Sequence, residues 1–449
     1  MKKLLMISFI CFFVLGNLFA QDAKNWNLKK ILDFSRTNSP LIKKEALKVE
    51  EAGEAVKELE SNRRPQVEGA ISGSTMFVDL NVDLPQEVVD DLSDQVKGIL
   101  TALQDVDRIY SMSGGVTLSQ LIYNPVLKNG IRSAKTAQEL YGLGKNIKEE
   151  EMIYEISSNY YQVLLNMSQI NVIDINLKSL EQLQVSTKLL YENDLGLKTD
   201  NSRIKVNITN LQTQRTRLLN GINAQLNYIK VLAGLPLKAD ITPDQQELDA
   251  IVKLSEVNQV GFDVNNRLEY QSLMKQKELL ENQIAGEKAA YLPTVAAMGR
   301  AQWQAMNSEF KFPDWNGNHM VGVNVTVPIF DSGKKKHKVR QAKLKSEQAE
   351  QDIIHNGKML TVDYLNSINQ LTTSWDALLV QETNKELAEE VYDQSELQYK
   401  EGVASLTDLL NAEVSFREAQ NAYNQHVLDY KVALLNLVRS KGELKTFAE

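Results

Sequence analysis

The residues that could do chemistry are few and poorly placed for catalysis. His319, His337, His355 and His426 are scattered. None forms an i, i+4 pair with another ligand, the spacing that puts two metal-binding side chains on one helix face. No metal and no cofactor are expected. The sequence has no G-x-x-x-x-G-K-[ST] loop to cradle a nucleotide phosphate. What stands out is a short pattern that occurs twice. Tyr191-Glu-Asn-Asp-Leu-Gly-Leu-Lys-Thr-Asp200 lines up without gaps on Tyr399-Lys-Glu-Gly-Val-Ala-Ser-Leu-Thr-Asp408. Gly402 suits a tight turn that needs positive φ, and Thr407 or Asp408 can cap the helix that follows. In the first copy Asp194 takes the place of Gly402 and Gly196 lies two residues later, so the first turn need not share the second's shape. Thr199-Asp200 answers Thr407-Asp408. Asp200 and Asp408 can be simple helix caps. Under three-fold symmetry each would instead become a ring of three carboxylates, which favours cations and repels itself unless screened or bridged.

The elements that position these turns are also duplicated. Gly115-Val-Thr-Leu-Ser-Gln-Leu-Ile-Tyr-Asn124 lines up on Gly322-Val-Asn-Val-Thr-Val-Pro-Ile-Phe-Asp331, and Arg64-Pro65-Gln66-Val67 pairs with Leu292-Pro293-Thr294-Val295. Three matches in one order predict two copies of helix, strand, loop, strand, long helix, turn, helix. The strands alternate. Val67, Gly69, Ile71 and Phe77 oppose Gln66, Glu68, Ser72 and Ser74 over 66–78. Tyr110, Met112, Val116, Leu118 and Ile122 oppose Ser111, Ser113, Thr117 and Ser119 over 109–122. Val295, Ala297, Gly299, Ala301, Trp303 and Ala305 share a face over 294–305, as do Val321, Val323, Val325, Val327 and Ile329 over 320–329. Each run has the length of a tilted membrane β-strand, although a half-buried soluble sheet shows the same alternation. From Ile131 to Tyr191 there is no Pro, and a helix of that length would reach roughly 90 Å. Ile153, Ile156, Tyr160, Val163, Met167 and Ile170 step by three and four, and Leu409, Phe416, Tyr423, Tyr430 and Leu437 repeat by sevens. These are coiled-coil seams.

The 449 residues carry Lys+Arg 50 against Asp+Glu 58, a net charge of -8, which argues against a nucleic-acid partner. Lys334-Lys335-Lys336-His337-Lys338 is the one basic run and reads as a solvated or headgroup-facing cluster. A mean hydropathy of -0.31 is too polar for a bundle of membrane helices. Lys2 and Lys3 precede an apolar run from Leu4 to Leu15, and Ala20 ends it: an export signal over 1–20. Cys11 is the only cysteine and lies inside that signal, so no disulfide is expected in the mature chain. Any place in a membrane must then come from the strands. Four strands have two open edges, and a closed membrane barrel needs at least eight, so one chain cannot close one; three chains supply twelve.

Taken together, the export signal, Asn38-Ser39-Pro40, Leu292-Pro293, Val327-Pro328-Ile329-Phe330-Asp331-Ser332-Gly333 with Arg340-Gln341-Ala342, and Tyr399 to Ala412 resemble the TolC-like outer-membrane efflux protein family. The resemblance covers essentially the whole mature chain. It implies an α+β membrane protein, with long antiparallel helices forming an α-barrel and four strands per chain contributing to a trimeric twelve-stranded β-barrel. It divides the chain into a first repeat over 21–230 (β-hairpin 66–122, tip near 194–200), an equatorial segment over 231–265, and a second repeat over 266–449 (β-hairpin 294–330, tip near 402–408). The acidic loop 79–108 and the loop 306–318 would face outside. The implied function is an outer-membrane exit duct, a homotrimer among outer-membrane lipid, joined through a periplasmic adaptor (membrane fusion) protein to an inner-membrane pump. No enzymatic activity is implied. Adaptor docking falls to the tips, at Asp194, Gly196, Thr199, Gly402 and Thr407, and the gate to Asp200, Tyr399 and Asp408. The family also places an Arg just past the second Gly and a carboxylate further on; Ala404 and Asn411 stand there instead. The rival reading is a soluble periplasmic coiled-coil adaptor or scaffold of an export system.

Overall fold

The computed structural model describes residues 26–77, 85, 88, 92–97, 108–249, 251–254, 257 and 261–447. The export signal over 1–20 and most of the acidic loop over 79–108 lie outside these residues. The main elements are α1 (Leu28–Asn38), α2 (Pro40–Ser61), β1 (Gln66–Phe77), β2 (Arg108–Tyr123), α3 (Pro125–Glu192), α4 (Lys198–Ala233), α5 (Leu268–Ala289), β3 (Thr294–Asn307), β4 (Asn316–Thr326), α6 (Lys334–Lys400) and α7 (Leu406–Lys441). Among the described residues no helix is long and apolar enough to cross a membrane. The chain forms two compact units.

One unit, built from 51–138 and 276–348, holds the sheet. It is a single antiparallel sheet in the order β1-β2-β3-β4. Registers such as Val67↔Leu118, Leu118↔Gly299 and Gly299↔Val321 carry the alternation across all four strands, with one register shift between Leu121 and Tyr123 where β2 pairs with β3. One face therefore gathers Ile71, Met112, Val116, Ala301, Trp303, Val321 and Val323. The other gathers Ser72, Ser74, Ser113, Thr117, Gln302, Gln304, Asn318 and Asn324, with Ser72 and Ser113 hydroxyls 2.8 Å apart. The apolar side is open: Ile71 is 83% and Val321 92% exposed. Strand β4 runs Asn316–Thr326, starting earlier and ending short of the expected 329–330. Pro328 lacks the N–H that would extend the ladder. Strand β3 continues to Asn307, which shortens the loop after it to 308–315. In that loop Phe310 meets Tyr110 of β2 edge-on at 5.4 Å, and Phe312 meets Phe310 in the same way.

The two strand-to-helix passages repeat as the aligned Asn124 and Asp331 require. Asn124 Oδ1 accepts from Leu127 N–H at 2.9 Å with Pro125 as first residue of α3, a favoured place for proline. Asp331 accepts from Gly333 N–H at 3.1 Å and Lys335 N–H at 3.0 Å.

The second unit, 1–50, 139–275 and 349–449, is helical. Its core is made by the periodic residues: Ile153, Ile156, Tyr160 and Val163 of α3 are fully buried, with Ile229 of α4, Leu371 of α6, Tyr430 and Leu437 of α7, and Ile31 and Leu32 of α1. Three buried polar side chains pin the irregular stretch after α4. Tyr160 Oη accepts from Asp244 N–H at 3.2 Å, Tyr430 Oη donates to Val252 O at 2.7 Å, and Lys431 Nζ donates to Glu247 O at 2.7 Å. Arg267 closes the same region. It is buried, makes two 3.1 Å hydrogen bonds to the Glu269 carboxylate and donates to Ser440 O at 2.8 Å.

Near it burial pushes the Glu150 carboxyl up to about 7, the Glu269 charge adds to the rise, and Lys445 and Arg267 offset it in part. The folded state thus holds this proton to higher pH than the unfolded chain. Glu150 is neutral in both states and without cost well below pH 4.5; between about pH 4.5 and 7 the unfolded chain ionises first and the fold loses stability, with no further loss above about 7. Glu150→Gln is expected to stabilise by on the order of 2 kcal/mol at pH 8 and by nothing at pH 4.5. Melting of both proteins at the two pH values measures this; equal shifts at both would remove titration as the cause.

Candidate functional site

The two aligned turns form the same local structure. Both close α-helices through the paired hydrogen bonds of a Schellman motif. Leu195 N–H donates to Leu190 O at 2.8 Å and Asp194 N–H to Tyr191 O at 3.1 Å; Val403 N–H donates to Gln398 O at 2.9 Å and Gly402 N–H to Tyr399 O at 3.1 Å. The left-handed position is Asp194 at φ 57° in one copy and Gly402 at φ 76° in the other. Asp tolerates this region as few other side chains do, so the first turn keeps the second's shape. Gly196 serves a different need: a Cβ there would stand 3.0 Å from Leu190 Cβ.

The helix starts differ. Neither Thr407 nor Asp408 is the N-cap residue of α7; Ser405 is. Its Oγ accepts from Asp408 N–H at 3.2 Å while Asp408 Oδ2 accepts from Ser405 N–H at 3.1 Å, a capping box. The Ser405 hydroxyl, with the Ser405 N–H behind it, holds the Asp408 carboxyl below the usual range. In the first copy Leu197 occupies the cap position with no side-chain hydrogen bond, leaving Asp200 in the first turn of α4. Thr199 is exposed, Asp200 half-buried.

Tyr399 packs against a small core that joins the two tips, made of Ile173, Leu177 and Leu180 of α3, Ile204, Ile208 and Leu211 of α4, and Leu406 and Leu410 of α7. Burial, and next the negative charge of Asp200, raise the Tyr399 phenol, so it stays a neutral donor. Among the described residues neither Asp200 nor Asp408 makes an ion pair, and the two tips are tied by another residue. Arg203 Nη1 of α4 donates to Thr407 Oγ1 at 2.5 Å. Ser202, Arg203, Val206, Asn207, Thr407 and Leu410 line an open groove of about 420 Å³ between α4 and α7. At the turn apices Leu195 is 76% and Val403 77% exposed. The Ser405-x-x-Asp408 cap could have been read from spacing alone; the Arg203 contact, reaching from one copy to the other, had no local signal.

Because nothing lies within 4 Å of a Cβ on Gly402, Gly402→Val tests the backbone alone. It is expected to cost about 1–2 kcal/mol locally, seen as faster amide exchange at the second tip with the rest of the helical unit unchanged. Asp194→Gly is expected to slow exchange at the first. Faster exchange throughout the helical unit in Gly402→Val would make the site structural.

The family model described as outer membrane efflux protein matches residues 265–443. The chain is 21% identical over 314 residues to the alkaline protease secretion protein AprF of Pseudomonas aeruginosa, across 69% of this chain and 64% of that protein. It spans a little under two-thirds of that relative's length. It is likewise 21% identical over 351 residues to the outer membrane protein TolC of Escherichia coli, across 74% and 69%. The fold matches the outer membrane channel CmeC of Campylobacter jejuni with a TM-score of 0.72 at 15% identity, covering 93% of this chain and 85% of that one.

Proposed function

We propose that this chain, TolC-like in both sequence and fold, is the exit duct of a tripartite efflux or type I secretion system. It lies in the outer membrane, with its helical unit on the periplasmic side. The observation that carries the reading is the sheet. One face is apolar and open, the other is lined by Ser, Thr, Gln and Asn, and among the described residues strands β1 and β4 each lack a neighbour on one side. Lipid satisfies the first face, a water-filled lumen the second, and only further copies can satisfy the edges. Three copies give twelve strands. A soluble periplasmic adaptor would have no use for such a surface.

The duct performs no reaction. It is a passive conduit, and energy comes from an inner-membrane pump. A periplasmic adaptor docks at the tips, where the exposed Leu195 and Val403 and the groove beside Arg203 and Thr407 offer apolar and hydrogen-bonding contacts. Asp200, Tyr399 and Asp408 brace the closed entrance, with Arg203–Thr407 linking the tips within each chain. The likeness to AprF supports protein export as one cargo class.

The deciding experiment combines the mass of the detergent-solubilised protein with its conductance in a planar bilayer. A trimer passing small, mostly closed currents supports the duct; a water-soluble species without conductance returns the adaptor reading. Asp200→Asn or Tyr399→Phe is expected to raise the leak current several-fold. Unchanged conductance in both would remove their gating role.

A further inference from the structure

We propose that the periplasmic end of the sheet carries a band of basic side chains that binds the headgroups of anionic phospholipids. The inference rests on the outer-membrane reading above. Although the chain is net -8, residues 331–346 hold seven Lys or Arg against the single Asp331. Their place is fixed by contacts within the sheet-bearing unit. Lys335 Nζ lies 5.5 Å over the ring of Tyr291, three residues before β3. On the far side of the sheet Gln120 Nε2 of β2 donates to Arg63 O at 2.7 Å, setting Arg63 and Arg64 at the same end, just before β1.

Charge and burial then select the partner. Lys335 faces Asp331 at 3.6 Å, Arg340 pairs with Glu347 at 3.1 Å, and Glu60 beside Arg63 is engaged by Lys135 at 2.7 Å. Lys334, Lys336 and Lys338 are exposed and have no ion-pair partner among the described residues. Immediately before them Ile329 is 93% and Phe330 86% exposed. An apolar step followed by unpaired ammonium groups has the profile of acyl chain followed by phosphate. A periplasmic polyanion such as peptidoglycan would use the charges and leave the apolar step unexplained. Each basic side chain in a headgroup layer multiplies affinity roughly fivefold, and an exposed site of this kind is screened by salt.

The test uses the full-length protein in neutral detergent, offered equal amounts of phosphatidylglycerol and phosphatidylcholine, with retained lipid counted by native mass spectrometry. The natural protein is expected to retain phosphatidylglycerol in more than tenfold excess, short of the roughly hundredfold that three fully engaged lysines would give. The triple variant Lys334→Gln, Lys336→Gln, Lys338→Gln should retain the two almost equally, with trimer mass and conductance unchanged, and high salt should do the same to the natural protein. Equal retention by the natural trimer, or release of its phosphatidylglycerol by peptidoglycan fragments or inorganic phosphate under conditions where sodium chloride of the same ionic strength releases none, overturns the proposal. A protein that forms no trimer in either lipid overturns the duct reading as well, so the two failures are told apart by the mass.

Discussion

Gly234→Ala is expected to lower stability by about 2–4 kcal/mol, a large effect for one added methyl group. Gly234 ends α4 in the left-handed conformation at φ 75°, which alone costs an L-residue roughly 1 kcal/mol. Space adds the rest. A Cβ at this position would stand 2.4 Å from Asn38 O, 2.8 Å from Asn38 C and 3.1 Å from Pro40 Cδ. These are backbone and ring atoms of the α1–α2 junction, which cannot swing aside as the end of a long side chain can. Either α4 or that junction must move, and Leu232, Ala233 and Leu235 beside it belong to the main core. Thermal melting in detergent measures the loss. Gly402→Ala is the control, since it carries the same backbone strain with nothing within 4 Å. Equal shifts for the two variants would show that the close approach to Asn38 has no energetic weight.

Arg267→Ala is expected to cost about 2–3 kcal/mol, because it removes a buried guanidinium and its hydrogen bonds to Ser440 O and to Glu269, although that carboxylate is itself 36% exposed. Arg267 joins the start of α5 to the end of α7 through Ser440 O, and Asp363 of α6 adds a second carboxylate at 3.6 Å. Burial by itself would raise the Glu269 carboxyl; the Arg267 hydrogen bonds outweigh it and hold the group below its usual range. With the guanidinium gone, Glu269 should take up a proton at higher pH, so the variant should lose most stability at neutral pH and recover part of it in acid. Arg267→Lys keeps the charge without the fork of donors and should fall between. Melting of the three proteins across pH is the measurement. A lysine variant as stable as the natural protein would reduce the network to simple charge balance.

Much of the fold was legible because it is written in local periods. Alternation over 294–305 needs no partner to be recognised, and the register Gly299↔Val321 merely aligns two faces already sorted. The sevens from Leu409 to Leu437 likewise mark the side of α7 that is buried or half-buried. Strand ends were less legible where one residue decides them, as Pro328 does. At the tips the duplicated pattern located the turns. It did not reveal that Asp194 adopts the same backbone as Gly402, because side-chain identity limits that conformation without dictating it.

What the sequence alone determined is whatever depends on neighbours within a few positions: strand faces, helix seams, the two turns, the charge of 331–346. What only the tertiary structure decided is which distant groups meet. Arg203 finds Thr407, Arg267 finds Ser440, Gly234 finds Asn38, and Tyr160 finds Asp244. Each such meeting is selected by the packing of whole helices, whose buried faces leave a polar group one available partner and a backbone one available gap. That choice is made by the energy of the assembled core, which no local stretch of sequence contains.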